Sequence, residues 1–396
     1  MKALLGLFAL LLGWALLTYP STYVWRVVFW QDSDVFDYKR FPERQIENAG
    51  SPFQFAAGTQ EDEALVRTLF ETNPLIRDLD SFLRETRTQA FIVIQNDRIL
   101  YEKYFNGYRR DSIVTSFSVA KSFVSALIGI AIEDGHIDSV DDPITKYLPE
   151  LGERDAAFNK ITIRHLLMMS SGIRYREFPF FTGDNTKTYY YPDLRRLALE
   201  ETVVVGRPGE EFLYNNYHPL LLGLILERAT GRSVAHYLQE KIWKPLGMEF
   251  PGSWSLDSDA SGFEKMESGL NGRAIDFAKF GRLYLNQGKW DGNQVIPAEW
   301  VAESTREDQS VDRAAYYPNT EFFGAMDGYY GYMWWGLPRA GGHYDFSAVG
   351  NHGQFVYVSP RNNLIIVRNG ERYGIEYHEW LRVFYQFASE LERSGG

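Results

Sequence analysis

The sequence predicts an α+β fold: an α/β sandwich lobe on one antiparallel sheet, formed by N- and C-terminal strands and flanked by helices, with an inserted all-helical lobe at roughly residues 130–290. Three observations predict it. Two β-rich runs, 90–94 and 99–105, flank Gln95-Asn96-Asp97-Arg98, and an Asn-Asp pair between such runs signals a hairpin. Strand-like runs return near the other end, at 332–337, 354–358 and 364–368, the last two joined by Ser359-Pro360-Arg361-Asn362-Asn363. Between these regions, apolar residues recur mostly at helical spacing.

Residues 3–25 carry no charge, Lys2 precedes them and Arg26 follows, so this stretch is long enough to cross a bilayer as a helix. The run leads into Thr18-Tyr19-Pro20-Ser21-Thr22-Tyr23 rather than a small-residue cleavage site, and Trp25, Phe29 and Trp30 suit a membrane interface. Residues 1–30 are therefore expected to be an N-terminal membrane anchor, with a removable signal segment or a buried core helix as the alternatives. The remainder would then sit in the periplasm or extracellular space, anchored to the inner membrane, or secreted after cleavage. Residues 31–62 are polar, non-periodic and dotted with Pro and Gly, and are expected to be an irregular tether. Residues 63–396 form the main domain.

Within it, Leu65, Leu69, Ile76, Leu79 and Leu83 have helical spacing, interrupted by Asn73-Pro74, which predicts one helix or two over 64–84. After the hairpin, Val119, Phe123, Val124, Leu127, Ile128, Ile130 and Ala131 predict an apolar helix over 118–132, stopping near Gly135. Helices are expected at 163–169, 219–230, 234–243 and 273–286, and a closing amphipathic helix at 377–391. A crevice between two lobes is where a ligand would bind.

Composition narrows the chemistry. Lys and Arg number 41 against 52 Asp and Glu, a net charge of −11 with no basic block, so no nucleic-acid partner is expected. With no Cys, there is neither disulfide nor thiolate chemistry. The seven His residues show no ligand spacing, and the sequence has no G-x-x-x-x-G-K-[ST] or G-x-S-x-G, so no metal or other cofactor is expected. Oligomeric state is left open.

Three clusters could carry chemistry. Ser118-Val119-Ala120-Lys121 sets a hydroxyl and an amine one helical turn apart on the same face, at a helix start whose positive potential would favour an oxyanion. A serine needs such a base, because its hydroxyl is a poor nucleophile until it loses its proton. The bland alternative is an N-cap Ser with a surface Lys, but residues 117–132 offer few other polar side chains, so an enclosed Lys121 must have a partner. In Pro208-Gly209-Glu210-Glu211-Phe212-Leu213-Tyr214-Asn215-Asn216, before the apolar helix, Tyr214 and Asn216 can point into one cleft, or Tyr214 can be a core aromatic. Ser347-Ala348-Val349-Gly350-Asn351-His352-Gly353-Gln354 opens a β run, where two Gly permit close approach to backbone N–H groups or simply make a bulge.

Together these clusters resemble the serine β-lactamase and penicillin-binding-protein superfamily, and within it the class C β-lactamase-related hydrolases. The likeness spans residues 90–368. It includes Asp142-Pro143-Ile144-Thr145-Lys146-Tyr147-Leu148-Pro149, Thr162-Ile163-Arg164-His165-Leu166-Leu167-Met168-Met169-Ser170-Ser171-Gly172, and Gly269-Leu270-Asn271 leading to Asp276-Phe277-Ala278-Lys279-Phe280-Gly281-Arg282. The resemblance implies a β-lactamase/transpeptidase-like fold and an acyl-transfer hydrolase of a small-molecule amide or ester. It implies Ser118 as nucleophile, Lys121 as its proton acceptor, Tyr214 as general base or acid and Asn216 as a substrate-amide contact. The Ser118 and Asn351 N–H groups, beside Gly350, would form the oxyanion hole. One departure is informative: Ala348-Val349-Gly350 stands where many members have K-T-G or H-x-G, which argues against potent β-lactamase activity. Gly350-Asn351-His352-Gly353-Gln354 is more similar to 6-aminohexanoate-dimer hydrolases and related carboxylesterases, with His352 either a substrate contact or a structural histidine. A D-Ala-D-Ala carboxypeptidase or weak β-lactamase is the alternative, and a non-catalytic membrane-tethered binding protein is the alternative of another class. Tyr329, Tyr330, Tyr332, Trp334 and Trp335 either line an apolar cleft or pack as core.

Overall fold

Asn96 and Asp97 both take positive φ (51° and 59°), so two residues suffice to turn the strand Thr88–Gln95 into Arg98–Tyr104. Asn and Asp tolerate this region, and such turns match the twist of the flanking strands. The computed structural model describes residues 2–395. The hairpin is joined by Leu364–Gly370 from the far end of the chain, with Ile366 opposite Val93 and Val367 opposite Ile92. The full sheet has eight strands, in the order Tyr329–Tyr330, Trp335–Pro338, Tyr344–Gly350, Gln354–Ser359, Leu364–Gly370, Thr88–Gln95, Arg98–Tyr104, Ala56–Ala57. Every pairing is antiparallel except the last.

Both faces of this sheet are covered, and the strand period of two assigns residues to each. Phe355 and Tyr357 meet Phe384 of the closing helix Tyr377–Gly395, each at 5.6 Å between ring centroids. Val356 and Val358 point the other way, toward the helix Ala274–Leu285. There Gly281 allows close approach: a Cβ on it would lie 2.9 Å from Ile365 Cγ2 and 3.0 Å from Val356 Cγ1. The helix Val119–Glu133 packs beside it through Phe123, stacked on Phe280 at 3.6 Å. The inserted lobe packs Tyr217–Thr230, ended by Gly231 in the left-handed region, against that helix.

The chain is α+β as expected, with local differences. The helical pattern over 64–84 is two helices, Gln60–Phe70 and Leu79–Glu85, separated around Asn73-Pro74. The last β runs include a separate strand, Tyr344–Gly350, and 234–243 changes from an α-helix to a π turn at Gln239–Trp243. A second, four-stranded sheet of Glu43–Ile46, Gly252–Ser255, Leu270–Gly272 and Val114–Thr115 is not anticipated, since strands of two to four residues are too short to show a period.

The N-terminal region differs most. Helix Lys2–Thr18 stops short of Pro20, and Ser21–Trp30 forms a second helix. Proline disfavours helical backbone in the residue before it and lacks an N–H, which breaks the uncharged run in two. The second helix buries Tyr23, Val24, Arg26 and Val27 in the body, and Arg26 donates to Tyr190 O (2.9 Å) and Asp257 O (2.7 Å). The expected anchor over 1–30 is thus not one span. Seventeen residues reach about 26 Å, short of a bilayer core of roughly 30 Å. Among the described residues no helix is long and apolar enough to cross a membrane. The 31–62 segment, expected to be an irregular tether, is also stitched to the body: Glu43–Ile46 pairs with Gly252–Ser255, and Thr59 and Asp62 form a capping box for Gln60–Phe70.

Candidate active site

Ser118 caps the helix Val119–Glu133, so its own N–H lies outside the intrahelical ladder. Phe117 before it has φ 43°, left-handed for a residue with a Cβ, a local strain the surroundings hold in place. Ser116 N donates to Leu270 O at 2.8 Å on one side, and the Phe117 ring packs 4.8 Å from the His352 ring on the other. The result is a sharp turn that presents Ser118 Oγ at the lobe boundary.

Lys121 follows one turn later. Its Nζ lies 2.7 Å from Ser118 Oγ and donates to Glu267 O at 3.0 Å. The side chain is 1% exposed, and loss of solvation, partly offset by the Glu267 charge, lowers its pKa to about 7. A large share of this amine is therefore unprotonated at neutral pH. The Tyr214 ring sits 4.9 Å from Nζ. Burial drives the Tyr214 pKa well above the usual phenol value, opposed by a hydrogen bond with Ser118, so the phenol keeps its proton. The pair thus joins a base near neutrality to an un-ionised acid across one hydroxyl.

Behind Lys121 lies a buried ion pair. Glu267 Oε1 accepts from Lys265 Nζ at 3.0 Å and from Ser268 Oγ at 2.7 Å, and both charged side chains are buried. Lys265 is capped by aromatic faces, with Tyr189 at 4.0 Å and Phe41 at 4.6 Å. Asn216 Nδ2 donates to Tyr175 OH (2.9 Å) and Asn185 Oδ1 (3.3 Å), while its buried Oδ1 has no partner among the described residues. That acceptor suits a substrate amide N–H.

The strand Tyr344–Gly350 runs up to the serine. A Cβ on Gly350 would overlap the Ser116 carbonyl and lie 3.1 Å from Ser118 N, so only glycine lets the strand end come this close. Asn351 begins the turn beyond, and its side chain accepts from His352 N at 2.9 Å.

Ser118 lies where two recesses meet. One, of about 360 Å³, is bordered by Tyr214, Asn216, Trp335, Gly350, Asn351 and Tyr373. The other is bordered by Asp32, Phe117, Phe180, Asn185, Tyr189 and Glu267. The fold therefore brings together Ser118, Lys121, Tyr214, Asn216, Gly350 and Asn351. It leaves His352 aside: the ring lies tilted behind Phe117, borders neither recess, and burial lowers its pKa. Of the aromatic cluster, Trp335 reaches the cleft while Tyr329, Tyr330, Tyr332 and Trp334 are core. Sequence reasoning did not single out Tyr175, Asn185, Lys265, Glu267 or Asp32. The only signal for the ion pair was three charges, Glu264, Lys265 and Glu267, in the stretch 263–272, whose other seven residues are uncharged.

A second hydroxyl and base, Ser171 Oγ and His218 Nε2, lie 2.6 Å apart but are fully buried, and burial lowers the His218 pKa to about 3. That pair is structural. Among the described residues no group of three or more His, Cys, Asp or Glu could hold a metal ion.

The beta-lactamase family model matches residues 78–371. The chain is 28% identical over 306 residues to a 6-aminohexanoate-dimer hydrolase of Paenarthrobacter ureafaciens, covering 74% of each chain. Among solved structures, a Bacillus anthracis chain described as a 6-aminohexanoate-dimer hydrolase superposes with a TM-score of 0.72 at 24% identity, over 90% of this chain and 94% of the other. A class C beta-lactamase mutant superposes with a TM-score of 0.62 at 15% identity, over 84% of this chain and 99% of the other.

Proposed function

Because the chain belongs to the beta-lactamase family and is a serine hydrolase, we propose that it cleaves a linear amide or ester through an acyl-enzyme on Ser118. The observation that carries this reading is the 2.7 Å contact between Ser118 Oγ and an enclosed Lys121 whose pKa falls to about 7. Lys121 takes the hydroxyl proton as Oγ bonds to the substrate carbonyl carbon. The Ser118 and Asn351 N–H groups stabilise the oxygen that gains the electron pair. Tyr214, which retains its proton, passes it to the departing amine or alkoxide as the scissile bond breaks, and Lys121 re-protonates Tyr214. Water then attacks the acyl carbon, giving up its proton along the same pair and releasing Ser118. Asn216 Oδ1 accepts from the substrate N–H where there is one.

A linear substrate is favoured over a β-lactam because Ala348, fully buried, stands where a cation would meet the β-lactam carboxylate. The likeness to 6-aminohexanoate-dimer hydrolases supports the same choice. Exposure to a fluorophosphonate, followed by intact-mass measurement, tests the reading: one adduct is expected on the native chain and none on Ser118→Ala. A folded native chain that takes up no reagent would overturn it. We further propose that the hydrolase works outside the cytoplasm, supported by the uncharged, mostly apolar residues 3–18 of the first helix. Cell fractionation with N-terminal mass determination tests that placement and separates an anchored from a cleaved form.

A further inference from the structure

Exposed aromatic side chains stand on both the second N-terminal helix and the loop preceding Asp184–Tyr190. Trp25 and Phe29, 59% and 62% exposed, stack at 4.1 Å on the outer side of Ser21–Trp30, and Phe178 and Phe180 on the loop are 77% and 40% exposed. Of these, Phe180 lines a groove, and large exposed apolar surface beside a groove is what a binding site presents. Between helix and loop runs an open groove of about 460 Å³, bordered by Val27, Val28, Gln31, Asp32, Phe180 and Phe181. Asp32 and Phe180 also border the recess of about 70 Å³ that contains Ser118, so the groove adjoins the serine recess across these two residues.

Both walls are held in place. Arg26 ties the helix to Tyr190 O and Asp257 O, and Tyr23 OH from the same helix donates to Phe181 O at 2.6 Å. A preformed groove spares a ligand the cost of ordering it. Polarity follows the same axis: two valines and two phenylalanines line the groove with Gln31 the one uncharged polar residue, and Asp32 borders both the groove and the serine recess.

We infer that this groove receives an apolar arm of the substrate, so that the hydrolase acts on esters or amides bearing an alkyl or acyl chain of medium length. The inference rests on Ser118 being the nucleophile. The scissile group lies in the polar recess and the chain extends between Val28 and Phe180. The two residues it shares with the serine recess, Asp32 and Phe180, commit the groove to the substrate rather than to another protein.

The test compares kcat/KM on p-nitrophenyl octanoate and p-nitrophenyl acetate for the full-length chain, for Val28→Trp, which fills the groove from a half-buried position, and for Phe180→Ala, which strips one wall. The octanoate-to-acetate ratio is expected to exceed about tenfold in the native chain, the effect of burying two methylenes, and to fall toward unity in both variants. In parallel, calorimetry on Ser118→Ala with octanamide and with acetamide reads binding without turnover. Octanamide binding that Val28→Trp abolishes, in a chain that hydrolyses neither ester, would sustain the groove while removing the hydrolase reading. Turnover of both esters with a ratio near unity, unmoved by either variant, would overturn the groove alone. Loss of binding to phosphatidylcholine vesicles in Val28→Trp, with the ratio unmoved, would assign this face to a lipid surface and would equally overturn it.

Discussion

Gly350→Ala is the most direct trial of the proposed oxyanion site. The added methyl would overlap the Ser116 carbonyl oxygen and sit 3.1 Å from Ser118 N, and both atoms are backbone. Neither side yields easily. The serine turn is held by Ser116 N to Leu270 O at 2.8 Å, and the strand end by pairing of Gly350 with Gln354 and by Tyr373 OH donating to Gly350 O at 3.1 Å. Relief requires the two backbones to part by up to about 1 Å, and a misplacement of that size costs roughly 10²-fold in rate. Loss of one oxyanion donor gives a similar figure, about 10²–10³ in kcat, or ~2.7–4 kcal/mol. Overpacking at one position costs about 1–3 kcal/mol of stability, less than the ~5–15 kcal/mol of a typical domain, so the variant should stay folded. The assay is kcat and KM on p-nitrophenyl acetate, with a thermal melt of the same sample. A folded Gly350→Ala chain with kcat within threefold of native would refute the reasoning.

Turnover should rise with pH as Lys121 loses its proton, with a midpoint near about 7; the Glu267 charge raises that pKa, so Glu267→Gln should move the acid limb to lower pH, and an unmoved limb in the kcat/KM profile would remove Glu267 from this role. Arg26→Met leaves the Tyr190 and Asp257 carbonyls without their buried donor, at about 1–3 kcal/mol for each unpaired group, and should lower the Tm and expose residues 21–30 to limited proteolysis. Phe384→Ala removes a fully buried ring that meets Phe355, Tyr357 and Trp380 and should cost ~3–5 kcal/mol in urea unfolding; a cost below about 1 kcal/mol would mean that the closing helix is not integral to the core.

The hairpin, the serine helix and the paired ends of the sheet were legible because each rests on local rules: a two-residue turn, an apolar run of helical length, and strand patterns bounded by turn residues. The same locality made Ser118 and Lys121 legible, since one helical turn joins them whatever the tertiary fold. The N-terminal region was read less well. Its uncharged run is what a bilayer span looks like in one dimension, and nothing in that pattern says that Tyr23, Arg26 and Val27 meet Phe181 and Tyr190, more than 150 residues away. The short strand Glu43–Ile46 has the same difficulty, because its partner is Gly252–Ser255.

The sequence alone determined the α+β class, a serine and a lysine one helical turn apart, and the glycine at the strand end, because helix period and backbone freedom are properties of neighbouring residues. Only the tertiary structure decided that His352 stands behind Phe117, that Trp335 alone of its aromatic cluster reaches the cleft, and that Glu267 and Lys265 lie behind Lys121. It also decided that Asp32 borders the serine recess. The reason is physical: the pKa of Lys121 depends on the solvent and charges that distant segments exclude or supply, and burial is a sum over the whole chain that no single stretch contains.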